Sequence, residues 1–141
     1  MTTMDRMYKM LILEDDEGSL HYLRMLFQND FKIVAALDYD NALGELNDPA
    51  NKDIDAIIAD KKLPYLSGIH FLKESKNKFP DVIRVLVTAH HNENDIEISI
   101  NDIGVDLMYF KPLTDKKTED LKDRLKKLLM QKNRVKNAVE P

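Results

Sequence analysis

The stretch Ile54-Asp55-Ala56-Ile57-Ile58-Ala59-Asp60 is an apolar run rich in β-branched side chains that stops on a carboxylate. Its length and near-continuous hydrophobicity read as a strand buried on both faces of a parallel sheet. Asp60 then stands at the carboxyl end of a buried strand. Open α/β sheets place their ligand chemistry in the crevice outside such ends. On its own Asp60 is equally readable as the opening of the loop Lys61-Lys62-Leu63-Pro64, since Asp, Lys and Pro are ordinary loop residues.

Outward from this stretch the chain alternates strand and helix. Met10-Leu11-Ile12-Leu13 is a second unalternating apolar run and leads into Glu14-Asp15-Asp16-Glu17. Gly18-Ser19 permits a helix start, and Leu20, Leu23 and Phe27, with Leu26 beside them, form a stripe at helical spacing. Residues 31–36 read as a strand, and 41–46 as a short helix ended before Pro49, because proline disfavours helix in the residue preceding it. After Asp60, Ser67 is a possible cap for a helix that buries Ile69, Leu72 and Phe71 and ends at Phe79-Pro80. Val82-Ile83-Arg84-Val85-Leu86-Val87 is the fourth strand and stops at Thr88. Ile96, Ile100 and Ile103 mark a fourth helix, closed by Gly104. Residues 105–110 form the fifth strand, ending at Lys111-Pro112. The last helix starts near Thr114 or Asp115 and carries Leu121, Leu125, Leu128 and Leu129 on one side. Five such alternations with short connections predict a doubly wound α/β three-layer sandwich, a parallel sheet with helices on both faces.

At 141 residues the chain is one domain by length, and 43% apolar with 33% charged residues is a globular composition. Of the 21 basic residues, nine lie between Lys116 and Lys136, opposed there by Glu119, Asp120 and Asp123. Their spacing is that of the wet face of an amphipathic helix, so direct nucleic-acid binding is not expected. Absence of cysteine excludes thiolate metal sites and thiol nucleophiles. No apolar segment of signal-peptide or membrane-spanning length occurs, which leads us to expect a cytoplasmic protein with no membrane partner. Helical character continues past Gln131, with Val135 extending the leucine series amid polar residues. The expected organisation is a domain over residues 1–131 and a helical extension or frayed tail over 132–141.

Strand ends that share a direction deliver Glu14-Asp15-Asp16, Asp60, Thr88 and Lys111 to one edge. Clustered carboxylates repel unless a cation sits among them, and an all-oxygen donor set without His or Cys suits Mg²⁺. Lys111 and the Thr88 hydroxyl then suit the oxygens of a phosphoryl group, and an ionised Asp60 needs no general base to act as a nucleophile forming an acyl phosphate. His90-His91 lacks a third metal ligand nearby and reads as loop. The glycines at 18, 44, 68 and 104 form no phosphate-cradling motif.

The acidic group after MLIL, IIADKKLPYLSG with Pro64 and Gly68, VLVTAH with Ala89 after Thr88, and FKPL with Lys111 together resemble the receiver domain of two-component response regulators over residues 8–131. A haloacid dehalogenase would need a second Asp two places past the nucleophile, where this chain has Lys62. The resemblance implies a flavodoxin-like sheet order of 2-1-3-4-5 and phosphorylation of Asp60 from the phosphohistidine of a sensor histidine kinase or phosphotransfer protein. It also implies Mg²⁺ held by the acidic residues, Asp60 and the Lys62 backbone carbonyl. Switching through Thr88 on the face of the fourth helix, fifth strand and fifth helix is implied as well, with a downstream output domain or protein and possible homodimers as partners. Lys62 and His90, each two residues past a site residue, line the expected approach of the phosphoryl group.

Two positions depart from or leave open the family pattern. Counting from the first strand selects Glu14 and Asp15 as the acidic pair, whereas counting back from Leu20 selects Asp15 and Asp16. At the switch position, three before the lysine, the family usually carries Tyr or Phe and this chain carries Met108. The alternative function is a receiver-like interaction module that is not phosphorylated.

Overall fold

The structure, a computed structural model, describes residues 7–60, 67–89 and 104–139, without the side chains at 67 and 133–139. Strands β1 (Tyr8–Leu13), β2 (Phe31–Ala36), β3 (Ile54–Asp60), β4 (Ile83–Thr88) and β5 (Leu107–Phe110) form one sheet in the order β2-β1-β3-β4-β5. Every pairing is parallel. Helices α1 (Glu17–Phe27), α2 (Tyr39–Asn47), α3 (Ser67–Lys78) and a C-terminal helix (Asp115–Val139) accompany it, with a 3₁₀ turn at Pro49–Asn51. This is the expected flavodoxin-like α/β fold. The fourth helical stripe, together with Lys62, His90 and His91, lies outside the described residues.

Strand alternation divides the core in two. Met10, Ile12, Ala56, Ile58, Val85, Val87, Leu107 and Tyr109 face a cluster completed by Leu20, Leu23 and Phe27 of α1 and by Leu121, Leu125 and Leu129 of the C-terminal helix. Leu11, Leu13, Ile57, Ala59 and Leu86 face the opposite cluster, closed by Ala42 and Leu46 of α2 and by Ile69, Phe71 and Leu72 of α3. Burial on both faces is why the central strands β1, β3 and β4 read as mostly apolar runs.

Local hydrogen bonding moves several boundaries from those expected. α1 begins at Glu17, ahead of Gly18-Ser19, because Asp16 caps it: the Ser19 N–H donates to Asp16 Oδ2 at 2.7 Å. α2 begins at Tyr39 because Asp38 accepts from the Asn41 N–H at 2.7 Å. Ser67 is the first helical residue of α3 rather than its cap. β5 begins at Leu107, two residues late, since at Asp106 a carboxylate rather than a backbone carbonyl accepts the Arg84 N–H at 2.8 Å. Thr114 does cap the last helix, its Oγ1 accepting from the Lys117 N–H at 3.2 Å.

The C-terminal helix is fastened at several depths. Tyr109 Oη donates to Asp120 Oδ2 at 2.6 Å, and Lys122 and Lys126 pair with Asp30 at 3.0 and 2.7 Å. Lys132 donates to the Asp81 carbonyl before β4, and the backbone stays helical to Val139. Among the described residues no helix is long and apolar enough to cross a membrane. We predict that Leu125→Ala, which empties a fully buried site, costs about 2–5 kcal/mol in urea denaturation. Asp30→Ala, which breaks partly exposed pairs, should cost under about 1 kcal/mol.

Candidate functional site

Beyond the carboxyl ends of β1, β3 and β5 three acidic side chains and one ammonium meet. Ligand oxygens of Glu14, Asp15 and Asp60 all lie within 4.8 Å of one another, with Glu14 and Asp60 buried and Asp15 exposed. Glu14 is held there because its N–H continues the ladder to the Ala36 carbonyl at 3.1 Å, one step past the end of β1. Lys111 follows β5, its N–H donating to the Thr88 carbonyl at 2.8 Å, and its Nζ reaches Asp60 Oδ2 at 2.7 Å and Glu14 Oε1 at 3.1 Å. The next peptide bond, Lys111–Pro112, is cis.

Electrostatics follow from this packing. Burial, joined by the neighbouring charge of Asp60, pushes Glu14 up to about 7, although the Asp16 N–H at 3.2 Å and Lys111 pull the other way. For Lys111 burial alone would lower the pKa, yet the hydrogen bond and charge of Asp60, followed by those of Glu14, raise it. The ammonium is thus fixed, and among the described residues it alone faces three carboxyl groups. An oxygen-only donor set with surplus negative charge fits a hard divalent cation such as Mg²⁺.

The expected residues divide by parity along the strands. Glu14, Asp60 and Lys111 share the alternation of the face covered by α1 and the C-terminal helix. Thr88, 1% exposed, shares that of Leu86 on the other face. Met108 pairs in register with Leu86 and packs at the edge of the α2 and α3 cluster, so it lies diagonal to Thr88 on the same face. Tyr109 points the opposite way, to Asp120. An aromatic one place along the strand therefore does not substitute at Met108. Asp16 is drawn into the α1 cap and is not one of the three acids that cluster, which favours the register through Glu14 and Asp15.

Arg84 is a buried residue that the pattern of apolar runs passes over. It is 5% exposed inside β4, and its guanidinium donates to the carbonyls of Gly104 at 3.2 Å, Phe79 at 3.3 Å and Pro80 at 3.5 Å. The available signal was a lone charge in the middle of a buried run, which demands internal acceptors.

The raised Glu14 pKa fixes a sign. An acid whose folded pKa lies above its unfolded value near 4.5 gives stability that is present below pH 4.5 and lost as pH rises through about 7. Metal-free protein should therefore lose on the order of 2 kcal/mol between pH 5 and pH 8 in urea titrations, a loss absent from Glu14→Gln. Added Mg²⁺ should stabilise the protein more at pH 8 than at pH 6.

Similarity to known proteins follows the same lines. The chain is 33% identical over 114 residues to the phosphate regulon transcriptional regulatory protein PhoB of Escherichia coli, covering 78% of this chain and 48% of that protein. It is 25% identical over 108 residues to the hydrogenase transcriptional regulatory protein HoxA of Cupriavidus necator, covering 77% of this chain and 22% of that one. The chain thus spans about half of the first relative and under a quarter of the second. Among solved structures, a response regulator receiver domain protein from Clostridium thermocellum superposes with a TM-score of 0.78 at 25% identity, covering 92% of this chain and 99% of that one. A CheY-like receiver domain protein from Methanospirillum hungatei gives the same TM-score at 19% identity, covering 92% and 98%. The model of the response regulator receiver domain matches residues 10–126, and the chain belongs to that family.

Proposed function

We propose that Asp60 is the phosphoacceptor of this receiver domain, taking a phosphoryl group from the phosphohistidine of a sensor kinase or phosphotransfer protein. The observation that carries this reading is the Asp60 carboxylate at the end of β3, 3% exposed, with Lys111 Nζ 2.7 Å away and Glu14 and Asp15 beside it. In the transfer an Asp60 oxygen attacks phosphorus, the histidine N–P bond breaks and the imidazole leaves. Lys111, already on Asp60 Oδ2, moves to a phosphoryl oxygen, and the Thr88 hydroxyl donates to another. Glu14, Asp15, Asp60 and the Lys62 carbonyl would hold Mg²⁺. When bound, that ion neutralises the phosphoryl oxygens. Asp16 is left to its cap.

The readout proposed is the β5 edge of the sheet with the C-terminal helix, reached from the site through Thr88 and Met108. Thr88 drawn toward the phosphoryl group vacates space on the α3 side of the sheet, and unbranched Met108 can enter it with little strain. Residues 1–131 serve as the receiver, and the helix beyond, continuing toward residue 139, leads to an output partner or a second copy. The relatives matched are longer proteins whose names describe transcriptional regulators, which supports an output of that class.

Incubation with acetyl phosphate and Mg²⁺ should add one phosphoryl mass to the wild type and none to Asp60→Asn. No gain in the wild type would favour a receiver-like interaction module that is not phosphorylated; a gain on another residue would remove the Asp60 assignment. Beryllofluoride should alter hydrogen exchange around residues 90–110 and in the C-terminal helix. Changes confined to α1 and α2 would refute the Thr88 and Met108 route.

A further inference from the structure

A cavity of about 420 Å³ separates α1 from the loop after β5, with Ser19, Tyr22 and Leu23 on the helix side and Lys111, Pro112 and Leu113 on the loop side. Tyr22 spans the gap: its hydroxyl donates to the Leu113 carbonyl at 3.1 Å. Three further hydrogen bonds at this loop run elsewhere. The Lys111 N–H goes to Thr88 of β4, the Thr114 N–H to the Pro112 carbonyl at 3.1 Å, and Lys117 Nζ to the Phe110 carbonyl at 2.9 Å. None of these reaches α1.

The consequence falls on Lys111. Its stem borders the cavity and its side chain is 27% exposed, so one flank lacks packing. A lysine stem has wide rotamer freedom, and packing is what ordinarily restrains it. Here the tip is held by Asp60 and Glu14 and the root by the loop. The contacts at the tip must be remade when the charge at Asp60 changes. A neutral hydroxyl-to-carbonyl bond at Leu113 is indifferent to that change, so it keeps the root in place while the tip is remade.

We propose that Tyr22 is a positioning residue for Lys111, its hydroxyl setting the distance between α1 and the Lys111 loop so that the ammonium stays aimed at Asp60. This rests on the phosphoacceptor reading of Asp60. The Tyr22 hydroxyl bonds to the Leu113 carbonyl and not to a carboxylate. Removing its hydroxyl should act through the lysine alone.

The test compares wild type, Tyr22→Phe, Lys111→Ala and the double variant, following the rate of mass gain with acetyl phosphate at saturating Mg²⁺. Tyr22→Phe should be about fivefold slower, the factor equivalent to a net hydrogen bond of about 1 kcal/mol. Its Mg²⁺ affinity should match the wild type, since Glu14 and Asp15 lie on the β1 side. In the Lys111→Ala background the same change should slow the reaction no further. If Lys111→Ala gains too little mass to time, the beryllofluoride dissociation constant serves as the readout, with the same non-additivity expected. Equal rates for Tyr22→Phe and wild type, or equal slowing in both backgrounds, would overturn the positioning role. A wild type that gains no mass would overturn the phosphoacceptor reading and this one with it.

Discussion

Among the described residues, two buried carboxyl groups share one ammonium at the carboxyl edge of this sheet, and the rest of the site depends on that imbalance. Glu14 is 1% and Asp60 3% exposed, so neither can rely on water for its charge, and Asp15 adds a third carboxyl from the rim. Lys111 is 2.7 Å from one and 3.1 Å from the other. Burial first, and then the neighbouring charge of Asp60, raise Glu14 to about 7. A divalent cation or the loss of a carboxylate charge relieves the repulsion. Phosphorylation and metal binding would both act on a site that already stores electrostatic tension.

The same edge places the residues of the proposed chemistry and of the proposed readout on different faces. Side chains alternate along each strand, so Glu14, Asp60 and Lys111 share the parity of the face under α1 and the C-terminal helix, while Thr88 and Met108 share the parity of the face under α3. In the reading proposed, an event at Asp60 would cross to the other face through Thr88, one strand over and one residue beyond the Asp60↔Val87 pair. No rearrangement of the sheet is required for this. The alternation also explains Tyr109, which belongs to the chemistry face and is engaged by Asp120 at 2.6 Å.

How much of this was legible in the sequence depends on how many physical demands a residue meets. The central strands are legible because burial on both faces leaves near-continuous apolar runs such as Ile54–Asp60, and helices α1 and α3 because Leu20, Leu23, Phe27, Ile69 and Leu72 keep helical spacing. The acidic run after β1 is not resolvable by composition: Glu14, Asp15 and Asp16 are equivalent as oxygen donors, and one becomes a cap only because α1 starts at Glu17. Element starts shifted wherever a side chain replaced a backbone partner, at Asp16, Asp38 and Asp106. Tyr22 gave no signal at all, since a tyrosine on the outer part of a helix is unremarkable until the fold brings Leu113 beneath it.

The opposite edge of the sheet shows that the tension is local. There Lys9 Nζ reaches Asp53 Oδ1 at 3.1 Å and the Ala50 carbonyl at 2.9 Å, and the buried Arg84 guanidinium ends on three carbonyls. Lys132 of the C-terminal helix closes on the Asp81 carbonyl. These three cations each have oxygen acceptors matched to them, and Arg84 and Lys132 draw together the turn before β4, the entry to β5 and the last helix. Consistency at one end permits inconsistency at the other: a site that keeps surplus negative charge survives because the elements presenting it are pinned elsewhere. In this molecule the unsatisfied electrostatics and the proposed chemistry occupy the same few ångströms around Asp60.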